Sequence, residues 1–588
     1  MTTRLPRKDV VIVGLGWTGS IMAIELARAG LSVVAIERGP WRDTATDFNI
    51  GTAPDELRYA VRQEIFLKPR QETLTARNNL TQTALPIRQW GSFLPGHGVG
   101  GAGNHWNGQT WRFLPDDFRI RSRLVERYGE KFLPADHQIQ DWGVSYDELE
   151  PYYDQFEYLC GISGKAGNLR GQLQPGGNPF EGPRRREFPT PALPQTYAET
   201  LFSKATSDLG LHPFPRPSAT LSTGYTNTYG CQLAPCTMCG FCERFGCANY
   251  SKSSPQTCVL PALMREPNFE ARTECEVTRV SLTPDGKHAT GVVYIDAKGQ
   301  EFEQPADLVL LCAYGLFNVR LLLLSGIGKP YDPKTGEGTV GRNYAYQSSG
   351  SAQGFFDNAR FNPFAASGSI ATTADDYNGD NFDHAPHGFV GGASITCGAS
   401  NARPILYHPT PPGTPTWGSK WKQAVQDNFL STTGCGAQGS VMSYRGNYLD
   451  LDPTYKDPLG RPLMRMTFDY QDNERKLSAF MAERCGGIMK AMGARQVVTN
   501  KISGPWNVVP YQTTHNTGGA VMGADPKTSV LNRYLQSWDV SNVFVTGASA
   551  FPQNHGYNPT GTVGALTYWA VAAIKERYLK SPGALVPT

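Results

Sequence analysis

Three groups of residues in this chain can carry chemistry. His515, in His515-Asn-Thr-Gly-Gly, offers an imidazole, the side chain best suited to take a proton near neutral pH. Asn558, in Tyr557-Asn558-Pro-Thr, offers an amide that can hold an oxygen. At the other end, Gly14-Leu-Gly16-Trp-Thr-Gly19 can cradle phosphates, with Glu37 downstream. In between, Cys231, Cys236, Cys239, Cys242 and Cys247 crowd into a short stretch, where thiolates can converge on a metal or pair with one another.

The cradle depends on the elements around it. Val10-Val-Ile-Val13 is a β-branched run of the kind buried on both faces in a parallel sheet. Ser20 to Ala29 has helical composition and stops at Gly30, and Leu31 to Ile36 reads as a second strand. In such a βαβ unit Gly14 permits the tight turn, Gly16 lets backbone approach a pyrophosphate, and Gly19 allows close helix–strand packing. The helix N-terminus faces the phosphates, and Glu37 is placed to accept from ribose hydroxyls. The position at the N-terminus, with a second Gly-rich segment from Gly96 to Gly103, favours FAD over NAD.

Further along, the sequence predicts a helix from Tyr146 to Cys160 and a hairpin between Ala271 and Val293 around Pro284-Asp-Gly. It also predicts a buried strand from Asp307 to Cys312 and a helix from Asn318 ending at Gly326. Residues 350 to 470, rich in Gly, Ser, Thr, Asn and aromatics, suit a sheet with long loops. Asn473 to Met492 reads as a helix, Asn542 to Thr546 as a strand, and Thr562 to Arg577 as a helix just after Asn558-Pro559. Arg184-Arg185-Arg186 reads as a solvated loop.

Bulk properties exclude some classes. The chain has 588 residues, enough for two or more cores, with 40% hydrophobic and 18% charged residues. A net charge of +3 without a basic run argues against nucleic acid as a partner. No apolar stretch approaches the roughly 20 residues that span a bilayer. No signal peptide is read at the N-terminus, so export is expected to rely on a partner's signal.

These motifs resemble those of the glucose–methanol–choline (GMC) oxidoreductases from end to end. The cradle, Gly98-Val-Gly-Gly-Ala-Gly-Asn-His-Trp106, Leu322-Leu-Leu-Ser-Gly-Ile-Gly328, Val340-Gly-Arg-Asn343 and the two C-terminal motifs occur in the family's order. Arg119-Ile-Arg-Ser-Arg123, Trp142 to Tyr153 and the cysteine run further resemble the flavoprotein subunits of membrane-bound gluconate 2-dehydrogenases.

The resemblance implies an α/β chain, α+β overall. A Rossmann-like FAD-binding domain would come from residues 1–115, 226–345 and 505–588, with the cysteine run inside it. An inserted substrate domain, residues 116–225 and 346–504, would be built on a mainly antiparallel sheet flanked by helices. It further implies Gly100, Asn104, His105, Val277, Gly547, Ala548 and Thr560 at the flavin, with His105 a candidate for covalent attachment and His97 a lesser one. His515 becomes the base and Asn558 the residue that holds the substrate oxygen, with His555 a rival base.

The implied reaction oxidises the C2 hydroxyl of D-gluconate to 2-keto-D-gluconate. Alternatives are 2-ketogluconate, fructose, a sugar alcohol or a glycoside as substrate, or oxygen as acceptor. A carboxylate substrate calls for a cation, and Arg403, Arg445 and Arg465 are candidates.

FAD-dependent glucose and fructose dehydrogenases, which the chain also resembles, carry a three-iron [3Fe-4S] cluster on three cysteines. Cys236 and Cys242 meet their C-x5-C spacing and Cys247 could be the third, while Cys239 is extra. Zinc and disulfides are the competing readings of Cys236, Cys239, Cys242 and Cys247. Electrons would pass to a multihaem cytochrome c subunit and then to quinone. A small subunit would carry the export signal, placing the protein at the periplasmic face of the inner membrane.

Overall fold

The computed structural model describes residues 2–48, 56–398 and 405–587. The expected βαβ unit is present: β1 (Lys8–Val13), α1 (Trp17–Arg28) and β2 (Val33–Ile36), with the strands parallel from Val10 opposite Val33 to Val13 opposite Ile36. Then follow α2 (Tyr146–Cys160), α3 (Tyr197–Asp208), β3 (Pro213–Pro215), β4 (Phe269–Arg272), β5 (Glu276–Leu282), β6 (Ala289–Ile295) and β7 (Glu301–Leu311). After these come α4 (Gly315–Ser325), β8 (Ser348–Phe355), β9 (Thr372–Ala374), β10 (Ala393–Cys397), β11 (Thr432–Gly439), α5 (Asp472–Ala491), β12 (Gln496–Lys501), β13 (Val543–Val545) and α6 (Thr560–Ala573).

The first large sheet runs β4-β2-β1-β7-β6-β5, with β13 also on β7. One strand explains how distant segments meet. The first half of β7 pairs antiparallel with β6, from Glu301 to Pro305. Its second half pairs in parallel with β1 from Ala306 to Leu311 and, at Val309 to Leu311, with β13. The N-terminal cradle and the strand leading to Asn558 are thus hydrogen-bonded to the same eleven residues. Val10, Val11, Ile12, Val309, Leu310, Leu311, Val543 and Phe544 are all fully buried, as a sheet covered on both faces requires.

The second sheet runs β3-β9-β10-β11-β8-β12 and is antiparallel throughout. Helix α5 lies across it, and a core of Ala352, Ile395, Ala437, Leu477, Met481, Cys485 and Met489 fills the space between. Gly350 sets the approach: a Cβ there would stand 2.7 Å from the carbonyl of Ser478 on α5. Neither α3 nor β3 was expected from the sequence; β3 is a three-residue edge containing two prolines.

The two parts interlock. Helix α2, expected in the substrate domain, packs against α6, and a Cβ at Gly564 would fall 2.3 Å from the Phe156 ring. A small sheet pairs Leu74–Arg77 in parallel with Pro462–Thr467.

The run Arg184-Arg185-Arg186 is solvated only in part: Arg185 and Arg186 are exposed, while Arg184 is buried. Arg184 is 1% exposed and pairs with Glu157 at 2.5 Å; Arg185 and Arg186 pair with Glu150 and Asp154. All three carboxylates lie on α2, so the run is a clamp on that helix. Local composition alone could not show which acidic face it would meet. No described helix is long and apolar enough to cross a membrane.

Candidate active site

A single cavity of about 1050 Å³ joins the cradle to the C-terminal motifs. At one end it is lined by Gly14, Gly16, Glu37, Cys312 and Val277, and at the other by Gly547, Ala548, His515, Asn558 and Thr560. His105, Trp106, Arg216 and Arg244 also line it.

The cradle fits a dinucleotide. Gly14 has φ +93°, in the left-handed region, and a Cβ on it would meet the Cys312 carbonyl at 2.9 Å. A Cβ on Gly19 would lie 2.0 Å from the Gly14 carbonyl, so this glycine serves helix–strand packing and stands behind the cavity. A Cβ on Gly16 would meet only the Gly100 carbonyl, at 3.9 Å, leaving room for a phosphate against the backbone. Helix α1 has no side-chain cap, so its first N–H groups are available to an anion. Glu37 accepts from the N–H groups of Leu15 and Gly39, which fixes its carboxylate beside the turn.

Gly100 and Asn104 shape the neighbouring loop without facing the cavity. Gly100 has φ +91° and donates to the Leu15 carbonyl, while the Asn104 amide donates to the Val99 carbonyl. His105 does face the cavity. Its ring stands edge-on to Phe66 at 4.5 Å, and its buried Nε2 has no hydrogen-bond partner. Burial pushes its pKa down to about 3, with Lys252 adding to the effect, so the ring is neutral. His97, by contrast, is tied to Gln71 outside the cavity.

His515 and Asn558, forty-three positions apart, stand with Nε2 and Nδ2 3.0 Å apart. Asn558 is placed by the turn into α6, whose N-cap is Pro559. On its other side His515 Nδ1 hydrogen-bonds Gln347 Oε1. Burial lowers the His515 pKa to about 3, so it is neutral and able to accept a proton. His555 is not a rival base. It is 1% exposed, pairs with Asp117 at 3.0 Å and packs against Phe113 and Trp142 away from the cavity.

Two of the arginines expected to meet a substrate carboxylate, Arg445 and Arg465, do not line the cavity. Arg445 binds the carbonyls of Pro333 and Lys334, Arg465 pairs with Asp450, and Arg403 lies outside the described residues. Arg216 and Arg244 occupy the cavity wall instead. Arg216 is 7% exposed and donates to the carbonyls of Gly368 and Ser369. Among the described residues no carboxylate stands within ion-pair distance of it. No sequence motif marks Arg216, Gln347 or Trp111, because each reaches the site through strand pairing or packing.

The cysteine loop wraps the backbone of the His105 segment: Arg244 N–H donates to the His105 carbonyl at 2.8 Å. Lys252 is buried there, its ammonium held by the carbonyls of Trp106, Cys242 and Phe245. All twelve cysteines are free, so the disulfide reading fails. Among the described residues no three His, Cys, Asp or Glu side chains are grouped to hold a metal. Burial pushes Cys236 up to about 12 and raises Cys239 and Cys242, leaving them as thiols. As folded, the loop fits neither a [3Fe-4S] cluster nor zinc, although its spacing pointed to the first.

The sequence profile of the GMC oxidoreductases matches residues 216–348 and 443–567. The chain belongs to the GMC oxidoreductase family and is an FAD-dependent dehydrogenase acting on a CH–OH donor. It is 50% identical to a gluconate 2-dehydrogenase flavoprotein of Pantoea cypripedii, over 100% of this chain and 96% of that one. It is 26% identical to the fructose dehydrogenase large subunit of Gluconobacter japonicus, covering 96% and 97% of the two chains. A formate oxidase from Aspergillus oryzae shares the fold, with TM-score 0.58 and 15% identity over 99% of this chain and 100% of that one.

Proposed function

We propose that this chain oxidises the C2 hydroxyl of D-gluconate to 2-keto-D-gluconate. The observation that carries the reading is a cavity holding a neutral base, its amide partner and the buried guanidinium of Arg216, which has no ion-pair partner among the described residues although Glu243 lines the same cavity. The 50% identity to a gluconate 2-dehydrogenase flavoprotein supports the same substrate. Gluconate brings both groups this wall could hold, a hydroxyl beside a carboxylate.

Bound FAD supplies the two-electron hydride acceptor. His515 Nε2 takes the hydroxyl proton, and the Asn558 amide donates to the same oxygen as its charge develops. Arg216 holds the carboxylate and so selects which hydroxyl faces His515. The orphaned His105 Nε2 supports attachment of the flavin at that nitrogen. The reaction is not routed through the cysteine loop; iron analysis of the purified chain decides whether a cluster assembles there. A multihaem cytochrome c subunit, quinone beyond it and a small subunit with an export signal complete the reading, at the periplasmic face of the inner membrane.

An anaerobic substrate screen that follows flavin bleaching tests the assignment. Gluconate should bleach the flavin; bleaching by fructose or a hexitol with none by gluconate would replace the substrate. Oxygen uptake during turnover would replace the acceptor.

A further inference from the structure

We infer that Gln347 and Trp111 are positioning residues that hold His515 in the tautomer with hydrogen on Nδ1, so that Nε2, which here accepts from Asn558, stays unprotonated and able to take the substrate's proton. The inference rests on the reading of His515 as the base and names the groups that make only one of its nitrogens competent.

A hydrogen-bond chain fixes the tautomer from both of its ends. At one end lies the buried amide of Gln347. Its Nε2 donates to the carbonyls of His555 at 3.1 Å and Tyr557 at 3.2 Å. Carbonyl oxygens only accept, so the nitrogen of this amide must be the atom facing them. The oxygen, Oε1, is then the atom turned to His515, and it also accepts from the Thr513 hydroxyl at 3.3 Å. An amide oxygen only accepts, so His515 Nδ1 carries the hydrogen.

At the other end lies Trp111, whose indole N–H only donates. It reaches Asn558 Oδ1 at 3.3 Å. That contact fixes the Asn558 amide with Nδ2 turned to His515, 3.0 Å from Nε2. Nδ2 only donates, so Nε2 must be unprotonated. The two ends share no atom, yet they dictate the same tautomer. Trp111 is itself held, stacked on Tyr557 at 4.6 Å, and the Tyr557 hydroxyl bonds Asp375 at 2.5 Å.

The chain also shows what is missing. The partner of His515 Nδ1 is a neutral amide, whereas a carboxylate there would stabilise the imidazolium. Gln347 therefore fixes direction without adding basicity, and burial keeps the ring neutral.

The test uses the flavin-loaded protein and reads the rate of anaerobic flavin reduction against pH for Gln347→Leu, Gln347→Glu and Trp111→Phe. With flavin content unchanged, Gln347→Leu should lower the limiting rate roughly 100-fold while KM moves less than about threefold. Gln347→Glu should move the acid limb up by about one pH unit or more, because a carboxylate favours the charged ring. Trp111→Phe should lower the rate about tenfold. An unmoved limb in Gln347→Glu, together with a Gln347→Leu rate within about twofold of wild type, overturns the inference. If only another alcohol bleaches the flavin, the substrate assignment fails and the same measurement proceeds with that alcohol. A full reduction rate in His515→Ala removes both the base and the inference.

Discussion

The cavity wall that carries His515 and Asn558 and the loop that carries Cys236 to Cys247 are both crowded with reactive side chains, and the fold treats them differently. On the wall, His515 and Asn558 have directional partners in Gln347 and Trp111, which fix where each hydrogen lies. In the loop Cys242 is buried and Cys236, Cys239 and Cys247 are half-buried, burial raises the pKa of Cys236, Cys239 and Cys242, and no three His, Cys, Asp or Glu among the described residues are grouped to hold a metal. Met238 and Arg244 there have φ of 55° and 69°, in the left-handed region that strains residues other than glycine. Residue type and spacing suggest a chemistry; partners of fixed donor or acceptor character decide which atom performs it.

The largest effect is expected at His515. His515→Ala should cut flavin reduction by about 10²- to 10⁴-fold while the flavin content stays at the wild-type level, measured by stopped-flow absorbance. A smaller effect would leave the wall no more functional than the loop. Arg216→Leu should raise KM for gluconate by about 10- to 100-fold, the loss of one charge-assisted contact, with little change for a neutral sugar. Equal losses for both substrates would mean that Arg216 only supports the Gly368–Ser369 backbone.

Two smaller effects sharpen the contrast between wall and loop. Cys239→Ser and Cys242→Ser should leave the rate of flavin reduction within about twofold of wild type, because neither thiol lines the cavity. A large fall would tie the loop to the chemistry on the wall. The acid side of the kcat/KM profile supplies the last test. His515 must be neutral to act, and burial lowers its pKa to about 3, so protonation is confined to strongly acid solution. Activity should therefore stay level down to about pH 5, and a limb near the usual imidazole value of about 6.5 would contradict that burial.

Much of the fold was legible because local patterns were strong. The β-branched run Val10 to Val13, the Ser145–Glu148 capping box ahead of α2 and the left-handed Gly326 after α4 each mark a boundary that the structure keeps. The clamp at Arg184 to Arg186 was not legible, since a charge run looks the same in water or against an acidic helix. Among the site residues, Gly14, Glu37, His105, His515 and Asn558 carry recognisable motifs and line the cavity. Gln347 and Trp111 carry none: they matter for the direction of one hydrogen bond, and direction is set by neighbours hundreds of residues away.

The sequence by itself determined the dinucleotide cradle and the kinship to GMC oxidoreductases, and through that resemblance the expectation that His515 and Asn558 act together. These rest on short motifs whose backbone demands, such as a positive φ at Gly14, are met locally. Only the tertiary structure decided which nitrogen of His515 is left unprotonated, which arginines enter the cavity and that, among the described residues, the cysteines are not grouped to hold a metal. Those outcomes depend on distances between segments far apart in the chain. Such distances are fixed by shared strands like β7 and by packing between sheet and helix, which the chemistry of each local motif cannot specify.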